Sequence, residues 1–419
     1  MLAAAAIAVT ASMLPLLPVG AERAAGAQEP WWSGDLVEHL KSTGWEPPYF
    51  KETVPSYPEG HHLEMARRAL ESPTQSISIG GFIYRTSPAL IAAGREIFQH
   101  YHFGTHRYWE FRRAIDYATG VTDPAEYSRR YGVKRDASGR FIGIIAVSPP
   151  NGRAQYGHSC ALCHANVSDT GEIVFGAANH DFDLGLFYEA LRPKIRDAEK
   201  VYLGDGALDV LRFQGPGRTD PTMDSFWAPV KVPHLFALRG LEHGLRSNGD
   251  TMSLWLQCYR NLNSNYAVDS EIMEALMAFL LSMQAPPNPR PAGDLEARGA
   301  AVFQAQRCHR CHAPPYYTSG LVIPWDSIRT DPDRIENGYP KGYRVASLLR
   351  LDLMKYYLHD GSLTTLEQLF DPARLSPAFE PPGIPEGRRK RGAGVRGHEF
   401  GMILSEQDRQ ALAAFLRSL

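Results

Sequence analysis

Two short stretches of the chain repeat one pattern: SCALCHA at residues 159–165 and QRCHRCHAP at residues 306–314. Each holds two cysteines separated by two residues, and a histidine follows the second cysteine directly. C-x-x-C-H is the attachment signature of c-type haem. The two thiols anchor the macrocycle as thioethers, which places the histidine under the iron as its proximal ligand. The residues predicted to hold two haems are therefore Cys160, Cys163 and His164 in the first motif and Cys308, Cys311 and His312 in the second.

The five cysteines of the chain leave two other interpretations of these pairs. Two C-x-x-C pairs can form a four-cysteine zinc site, and in an exported protein they can form disulfides. Neither explains a histidine at the same offset twice, so covalent haem is favoured. Cys258 is left over in an apolar-rich segment, which indicates a buried, inert thiol. A redox or intermolecular role for this thiol is the alternative.

The N-terminus of the chain predicts export. Residues 2–19 are apolar, and AGA at 25–27 forms a small-x-small cleavage site, so residues 1–27 are predicted to be a signal peptide. An uncleaved membrane anchor is the alternative, although Pro15 and Pro18 interrupt the apolar run. The expected location is the periplasm or the medium, with membrane contact only if this segment stays uncleaved.

Charge and length add two broad expectations. The chain carries 44 basic and 46 acidic side chains, and this net charge of -2 gives no sign of a nucleic-acid partner. A chain of 419 residues is expected to form two domains.

The surroundings of the two haem motifs are also repeated. AAGREIFQ at 92–99 is similar to EARGAAVFQ at 296–304. The helical pattern at 269–283 matches that at 405–419 with an offset of 136. Apolar residues at i, i+3 and i+4 mark one packed face on each of these closing helices. The chain is therefore predicted to be duplicated, with one haem in each half.

A third pair of segments, 232–257 and 345–369, supports the same duplication. Within the second of these, Thr364 and Glu367 have the spacing of a capping box that opens a helix. Asp294 is the predicted N-cap of the helix before the second haem motif.

These patterns predict an all-α protein of two cytochrome c-type haem domains with long loops and an N-terminal extension and insertion. Strand signals are sparse, and the best lies at 142–148. The predicted organisation is a signal peptide at 1–27, an N-terminal extension at 28–90, a first cytochrome c domain with an insertion at 91–288 and a second cytochrome c domain at 289–419.

A histidine and a methionine precede the last helix, in GHEFGMILSEQD at 397–408. Small c-type cytochromes often carry MPxFGG before such a helix, and its methionine binds the iron opposite the proximal histidine. His398 takes the place of that methionine and is the predicted distal ligand of the second haem. Met402 is the alternative, and a solvated loop with neither residue bound is the third possibility. The offset of 136 relates these two residues to Leu262 and Tyr266 in the first half. The sixth position of the first haem is therefore expected to be open, filled by Tyr266, or filled from elsewhere.

With these features the chain resembles the bacterial di-haem cytochrome c peroxidase superfamily, which includes the tryptophan-tryptophylquinone maturation enzymes and the di-haem rubber oxygenases. The resemblance rests on the two haem motifs and on YYLHDGSLTTLEQLFDPARL at 356–375, which is similar to the superfamily's APYxHDGSxxTLEE segment. It rests also on GHEFG at 397–401, which resembles rubber oxygenases. It covers residues 91–419, most firmly the second half.

The resemblance implies electron transfer through two covalently bound c-type haems, with the N-terminal haem as the reaction site and the C-terminal haem as its electron donor. It also implies a redox partner protein, a small cytochrome or a cupredoxin. A histidine shortly after the first motif can cap the reactive haem, and His180 stands there, with His234, His243 and Met252 as competitors. Arg218 is a candidate partner of a haem propionate or, alternatively, a structural turn residue.

Catalysis itself stays open at the level of sequence, because no distal acid–base residue is identifiable. A peroxidase- or oxygenase-like oxidoreductase is one expectation. A non-catalytic electron-transfer cytochrome, or a cytochrome subunit of a larger redox complex, is the other.

Overall fold

The computed structural model is mostly helical, with short strands between the helices. It describes residues 55–58, 60–79, 81–101, 124–148, 155–189, 213–219, 229–241, 253–262, 268–290, 292–330, 342–384, 386 and 394–419. Within these ranges the helices are α1 (His61–Leu70), α2 (Pro88–His100), α3 (Pro124–Tyr131), α4 (Ala161–His164), α5 (Leu184–Glu189), α6 (Leu254–Leu262), α7 (Ser270–Ser282), α8 (Asp294–Ala305), α9 (Trp325–Ile328), α10 (Leu366–Phe370) and α11 (Glu406–Ser418). Short 3-10 helices lie at Leu238–Gly240, Cys308–Arg310, Leu351–Leu353 and Pro372–Leu375. The strands are β1 (Ser56–Pro58), β2 (Gln75–Ile79), β3 (Phe82–Thr86), β4 (Ile144–Ser148), β5 (Gln155–His158), β6 (Ala165–Val167), β7 (Ile173–Phe175), β8 (Arg218–Thr219), β9 (Val230–Lys231), β10 (Val322–Pro324) and β11 (Gly342–Arg344).

The short strands correct the prediction of an all-α fold, which holds only in the coarser sense that helices dominate. β1 pairs in parallel with β4, and β4 pairs antiparallel with β5, so distant segments form one three-stranded sheet. The strand predicted at 142–148 is confirmed by β4, which begins two residues later. Gly143 explains the later start, because its φ of 78° is not an extended conformation. A Cβ on Gly143 would lie 2.1 Å from the backbone nitrogen of Leu162, so this glycine also lets β4 approach the first haem motif closely.

In the first half, α2 packs against α7 across a glycine. A Cβ on Gly94 would lie 1.9 Å from the carbonyl oxygen of Ala275 and 2.7 Å from the Cβ of Phe279. No side chain fits in that space, so the two helices touch backbone to backbone. Beside this contact the Phe98 and Phe279 rings meet edge to face, with their centroids 5.4 Å apart.

In the second half, α8 packs against α11 in the same way. A Cβ on Gly299 would lie 2.0 Å from the carbonyl oxygen of Ala411 and 2.6 Å from the Cβ of Phe415. The Phe303 and Phe415 rings meet edge to face at 5.3 Å. Ala411 and Phe415 are the residues that the offset of 136 pairs with the alanine and phenylalanine of α7, so the structure confirms the predicted alignment of the closing helices.

Each helix pair is the centre of its own hydrophobic cluster. The first cluster includes Phe98 and Leu276, and Cys160 packs against it. The second includes Phe303 and Leu412, with Cys308 packed against it. Both clusters belong to one unit, Glu46–Leu419. The predicted domain boundaries at 90 and 288 stay predictions.

The close helix contact in the second half makes a testable prediction about stability. Gly299→Val is expected to lower the free energy of unfolding by roughly 3 kcal/mol or more, because the new side chain overlaps the α11 backbone. Ala297→Val is the matched control, since Ala297 lies on the exposed side of the same helix. Urea unfolding of the two variants measures the difference. Equal losses of stability would contradict the proposed backbone contact.

Both predicted helix starts are displaced by one residue. The N-cap of α8 is Gly293 rather than Asp294, and its N–H donates to Glu296 Oε2 at 2.9 Å. The capping box of α10 uses Thr365 and Gln368 rather than Thr364 and Glu367. A glutamine amide oxygen accepts the cap N–H as well as a carboxylate does, and Glu367 is instead paired with Arg417.

Several predictions fall outside the described residues: the signal peptide at 1–27, and the ligand candidates His243, Met252 and Tyr266. The N-terminal extension at 28–90 is described only from residue 55 onward. Within the described ranges, no helix has the length and apolar character needed to cross a membrane.

Candidate haem-binding sites

The proximal histidine of the first motif is fixed by a backbone carbonyl. His164 ends α4, and its Nδ1 lies 3.2 Å from the carbonyl oxygen of Pro233. A carbonyl oxygen only accepts, so Nδ1 carries the ring proton and donates it. The other ring nitrogen, Nε2, then presents a lone pair, which is the form in which histidine binds a metal.

The second motif repeats this arrangement. The Nδ1 of His312 lies 3.0 Å from the carbonyl oxygen of Ala346 and 3.2 Å from that of Tyr317. Pro233 and Ala346 are the second residues of the repeated segments that begin at Val232 and Val345. Both halves therefore orient the histidine after the second cysteine with the carbonyl of the same element.

These two carbonyls were not predicted from the sequence. A backbone acceptor has no side-chain signature, and only the alignment of 232–257 with 345–369 pointed toward this segment. Burial lowers the pKa of His164 to about 4 and also lowers that of His312, so both imidazoles stay neutral at physiological pH.

The cysteines of both motifs form no disulfide, so their thiols are available for thioether bonds to haem. Cys160 caps α4, and its carbonyl oxygen accepts the His164 N–H at 3.0 Å, so one tight turn carries the whole first motif. All five cysteines of the structure are unbridged. Because Cys160 packs against the first hydrophobic cluster and Cys308 against the second, the two pairs do not form one four-cysteine zinc site.

Cys258 packs against the first hydrophobic cluster. Burial raises the pKa of this thiol, so it is protonated at physiological pH. Both observations support the interpretation of Cys258 as an inert thiol.

The ring of His398 lies close to that of His312. The two centroids are 6.2 Å apart and the ring planes are inclined at 64°. A metal bound by two imidazoles at about 2 Å from each nitrogen separates the ring centroids by roughly 6 Å. Burial lowers the pKa of His398 to about 4, which leaves it neutral and able to bind metal. The second half thus fits a haem between His312 and His398.

The alternative ligand, Met402, is buried and 8 % exposed. It follows Gly401, whose φ of 80° turns the chain between the two candidates. The aromatic ring opposite His312 is that of His398, so the spacing of the rings favours the histidine. The choice between the two residues stays a prediction, which is tested below.

The first half lacks a ligand at the matching position. Leu262 ends α6 and belongs to the first hydrophobic cluster. Among the residues that the structure describes, no imidazole lies opposite His164 in the way that His398 lies opposite His312. Within the described residues, the position that the offset of 136 pairs with His398 is thus apolar.

His180, the predicted cap of the first haem, lies beside two other rings. It is 2 % exposed, and its ring centroid is 5.9 Å from that of His234 and 5.8 Å from that of Tyr356. Burial, together with Lys231 and Lys355, lowers the pKa of His180 to about 3, so it is uncharged. The structure thus brings together two of the predicted competitors, His180 and His234.

Arg218 joins the two halves. It is 2 % exposed, and its guanidinium donates to the carbonyl oxygens of Asp360 at 2.9 Å and Gly361 at 2.7 Å, as well as to that of Gly383. Its Cζ lies 4.0 Å from the centre of the Tyr356 ring. A further bond, to the carbonyl oxygen of Pro216 at 3.1 Å, lies within its own loop. These contacts favour the structural role predicted for Arg218, which ties its own loop to the turn Asp360-Gly361 of the repeat.

No protein-family model matches the chain, and no curated protein sequence matches it. Among solved structures, the chain is similar to hydrazine synthase of Kuenenia stuttgartiensis at 17% identity, over 46% of this chain and 73% of that chain, with a TM-score of 0.33. It is similar to a MauG-like protein associated with microbial copper homeostasis at 17% identity, over 46% of this chain and 75% of that chain, with a TM-score of 0.34. It is also similar to the diheme peroxidase BthA of Burkholderia thailandensis at 14% identity, over 82% of this chain and 89% of that chain, with a TM-score of 0.30. The haem sites are inferred from the chain's own residues.

Proposed function

We propose that the chain is an exported cytochrome with two covalently bound c-type haems that acts as a peroxidase- or oxygenase-like oxidoreductase. In this proposal Cys160, Cys163 and His164 would hold the haem at which the substrate reacts, and the second motif would hold a haem for electron entry. Haem iron contributes one-electron redox chemistry and, where one coordination position is open, the binding of peroxide or dioxygen. The observation that supports the proposal is the unequal surroundings of the two proximal histidines.

The chain's own residues divide the two roles. The His398 ring lies close to that of His312, and a haem held by both histidines would have no open position for a substrate, which would suit electron transfer. In the first half the matching residue is Leu262, whose buried apolar side chain offers nothing to a metal. Pro233 and Ala346 hold the two proximal histidines in one tautomer, so the difference between the sites lies on their other sides.

Export and an outside electron source belong to the same proposal. Residues 1–27 would direct the chain to the periplasm or the medium, where c-type haem proteins exchange electrons with soluble carriers. A redox partner such as a small cytochrome or a cupredoxin would deliver electrons to the haem at His312.

Carbon monoxide binding tests the proposal. The reduced protein is expected to bind one carbon monoxide per chain, hence at half of its haems, because only the first site lacks a second fixed ligand. Electron paramagnetic resonance of the oxidised protein should show one high-spin or ligand-exchangeable haem and one low-spin haem. Two low-spin haems that bind no carbon monoxide, together with no turnover of peroxide, would favour the non-catalytic electron-transfer cytochrome.

A further inference from the structure

We infer that Arg374 is the positioning residue for His398, because it holds both peptide groups that flank this histidine. The inference rests on the proposed function in one respect, namely that His312 and His398 share a haem. Arg374 donates no hydrogen bond to His312, and it would position His398 through the backbone of the loop that carries this histidine.

The contacts of Arg374 are all with backbone carbonyls. The residue is 0 % exposed, and its Nε donates to the Leu369 oxygen at 3.1 Å. One terminal nitrogen donates to the Val395 oxygen at 2.5 Å. The other donates to the Gly397 oxygen at 2.7 Å and to the His398 oxygen at 3.1 Å. The planar guanidinium, with its five donors, thus joins the end of α10 to the loop.

The two bonds from the last nitrogen determine the direction of the imidazole. The Gly397 carbonyl belongs to the peptide group before the His398 Cα, and the His398 carbonyl belongs to the one after it. Fixing both groups fixes φ and ψ of His398, and these angles set the direction of its Cα–Cβ bond. The His398 N–H, which donates to the Ile328 oxygen at 2.9 Å, completes the anchoring.

The backbone of His398 requires such support. Its φ is 49°, in the left-handed region that costs a residue with a Cβ on the order of 1 kcal/mol. Gly397 precedes it with a φ of 93°, so the loop has little intrinsic preference for this geometry. A flexible chain would leave this conformation unless other contacts determined it. The contacts that do so come from Arg374 and from Ile328.

The duplication supports a shared purpose for the arginine and the histidine. Ser253 and Thr365 occupy equivalent N-cap positions, with an offset of 112. This offset relates Arg374 to Leu262, the same residue that the offset of 136 relates to His398. The first half therefore has Leu262 alone where the second half has the whole stretch from Arg374 to His398. An arginine that served only the common fold would be expected in both halves.

The experiment compares the holoprotein with two variants, Arg374→Lys and Arg218→Lys. Arg218 is the matched control, because it is also buried and its guanidinium also binds carbonyl oxygens, but none of these hydrogen bonds is to residues 394–398. Each protein is assayed for covalent haem by mass spectrometry, for its thermal midpoint, and for carbon monoxide bound per chain after reduction. His398→Ala provides the reference for a second site without its distal ligand.

Arg374→Lys is expected to keep two haems and to bind close to two carbon monoxide per chain instead of one. A lysine has a single donor nitrogen and cannot hold both flanking peptide groups together with Leu369 and Val395. Arg218→Lys is expected to lower the thermal midpoint about as much as Arg374→Lys does, while still binding one carbon monoxide per chain. Added imidazole should restore the low-spin signal of the second haem in Arg374→Lys, which a general loss of structure would not allow.

Three results would overturn the inference. If Arg374→Lys lowers the thermal midpoint yet binds one carbon monoxide per chain, the residue only stabilises the fold. Loss of both haems from Arg374→Lys would show that Arg374 has a general structural role. A rise to two bound carbon monoxide per chain in Arg218→Lys as well would show the same. A different result concerns the proposed function: if His398→Ala binds no more carbon monoxide than the unmodified protein, His398 is not a ligand, whatever Arg374 does.

Discussion

The double variant Cys308→Ala, Cys311→Ala is expected to mature with one covalent haem instead of two. Cys160 packs against the first hydrophobic cluster and Cys308 against the second, so loss of the second pair is expected to remove one attachment site without touching the other. The mass of the purified chain should fall by one haem. The remaining haem should be the one attached through Cys160 and Cys163, which a tryptic digest identifies.

The same variant also separates the two sites functionally. The haem that remains is the one expected to bind carbon monoxide, so binding should stay at one per chain and rise from half to all of the haems. The second half should also become less stable, because the haem would have packed beside the cluster that contains Phe303 and Leu412.

The control for this experiment is Cys258→Ala. Its thiol packs in the first cluster but belongs to no C-x-x-C-H motif, so this variant should keep two haems. A native chain without haem adducts would remove the basis for both sites. A double variant that still carried two haems would show that the second motif is not an attachment site.

The sequence predicted the parts of the structure that depend on side-chain pattern. The two C-x-x-C-H motifs, the closing helices and their offset of 136 could all be recognised in the sequence. Each is defined by the spacing of apolar or reactive side chains along the chain. Gly94 and Gly299 occupy equivalent positions in the repeated segments. The structure shows why each is a glycine, because the backbones of two helices are in close contact there.

Features that depend on backbone groups were not predictable in the same way. The carbonyls that orient His164 and His312 belong to Pro233 and Ala346, and any residue supplies a carbonyl. Arg374 was missed for the same reason, since its partners are backbone oxygens, and those in the His398 loop lie 21 to 24 residues away in the chain. Among charged residues, a fully buried arginine is unusual enough to draw attention, but burial itself is known only from the fold.

The position of the His180 ring could not be derived from its spacing along the chain. Its distance from the first motif placed it near the haem, and the resemblance gave it the role of a cap. In the structure its ring lies beside His234 and Tyr356, at a position that the number of intervening residues does not determine. The role of His180 as a cap stays a prediction, and the closeness of His234 makes that histidine the natural comparison in any substitution.

The pair of variants His398→Ala and Met402→Leu is expected to show which side chain completes the second site. Removing His398 should raise carbon monoxide binding from one to two per chain, because it deletes the ring opposite His312. It should also convert the low-spin signal of the second haem to a high-spin one. Met402→Leu preserves volume and apolar character at a buried position, so it should leave both measurements unchanged.

The reduction potential gives an independent measurement of the same ligand. A histidine opposite the proximal histidine leaves the potential lower than a methionine does, and axial ligands together move haem potentials over about 0.8 V. The second haem of the unmodified protein is therefore expected to have the lower potential typical of two histidines, and His398→Ala should raise it by on the order of 0.1 V. If Met402→Leu instead opened the site and shifted the potential, the methionine would be the ligand, and the 6.2 Å spacing of the two imidazoles would need another explanation.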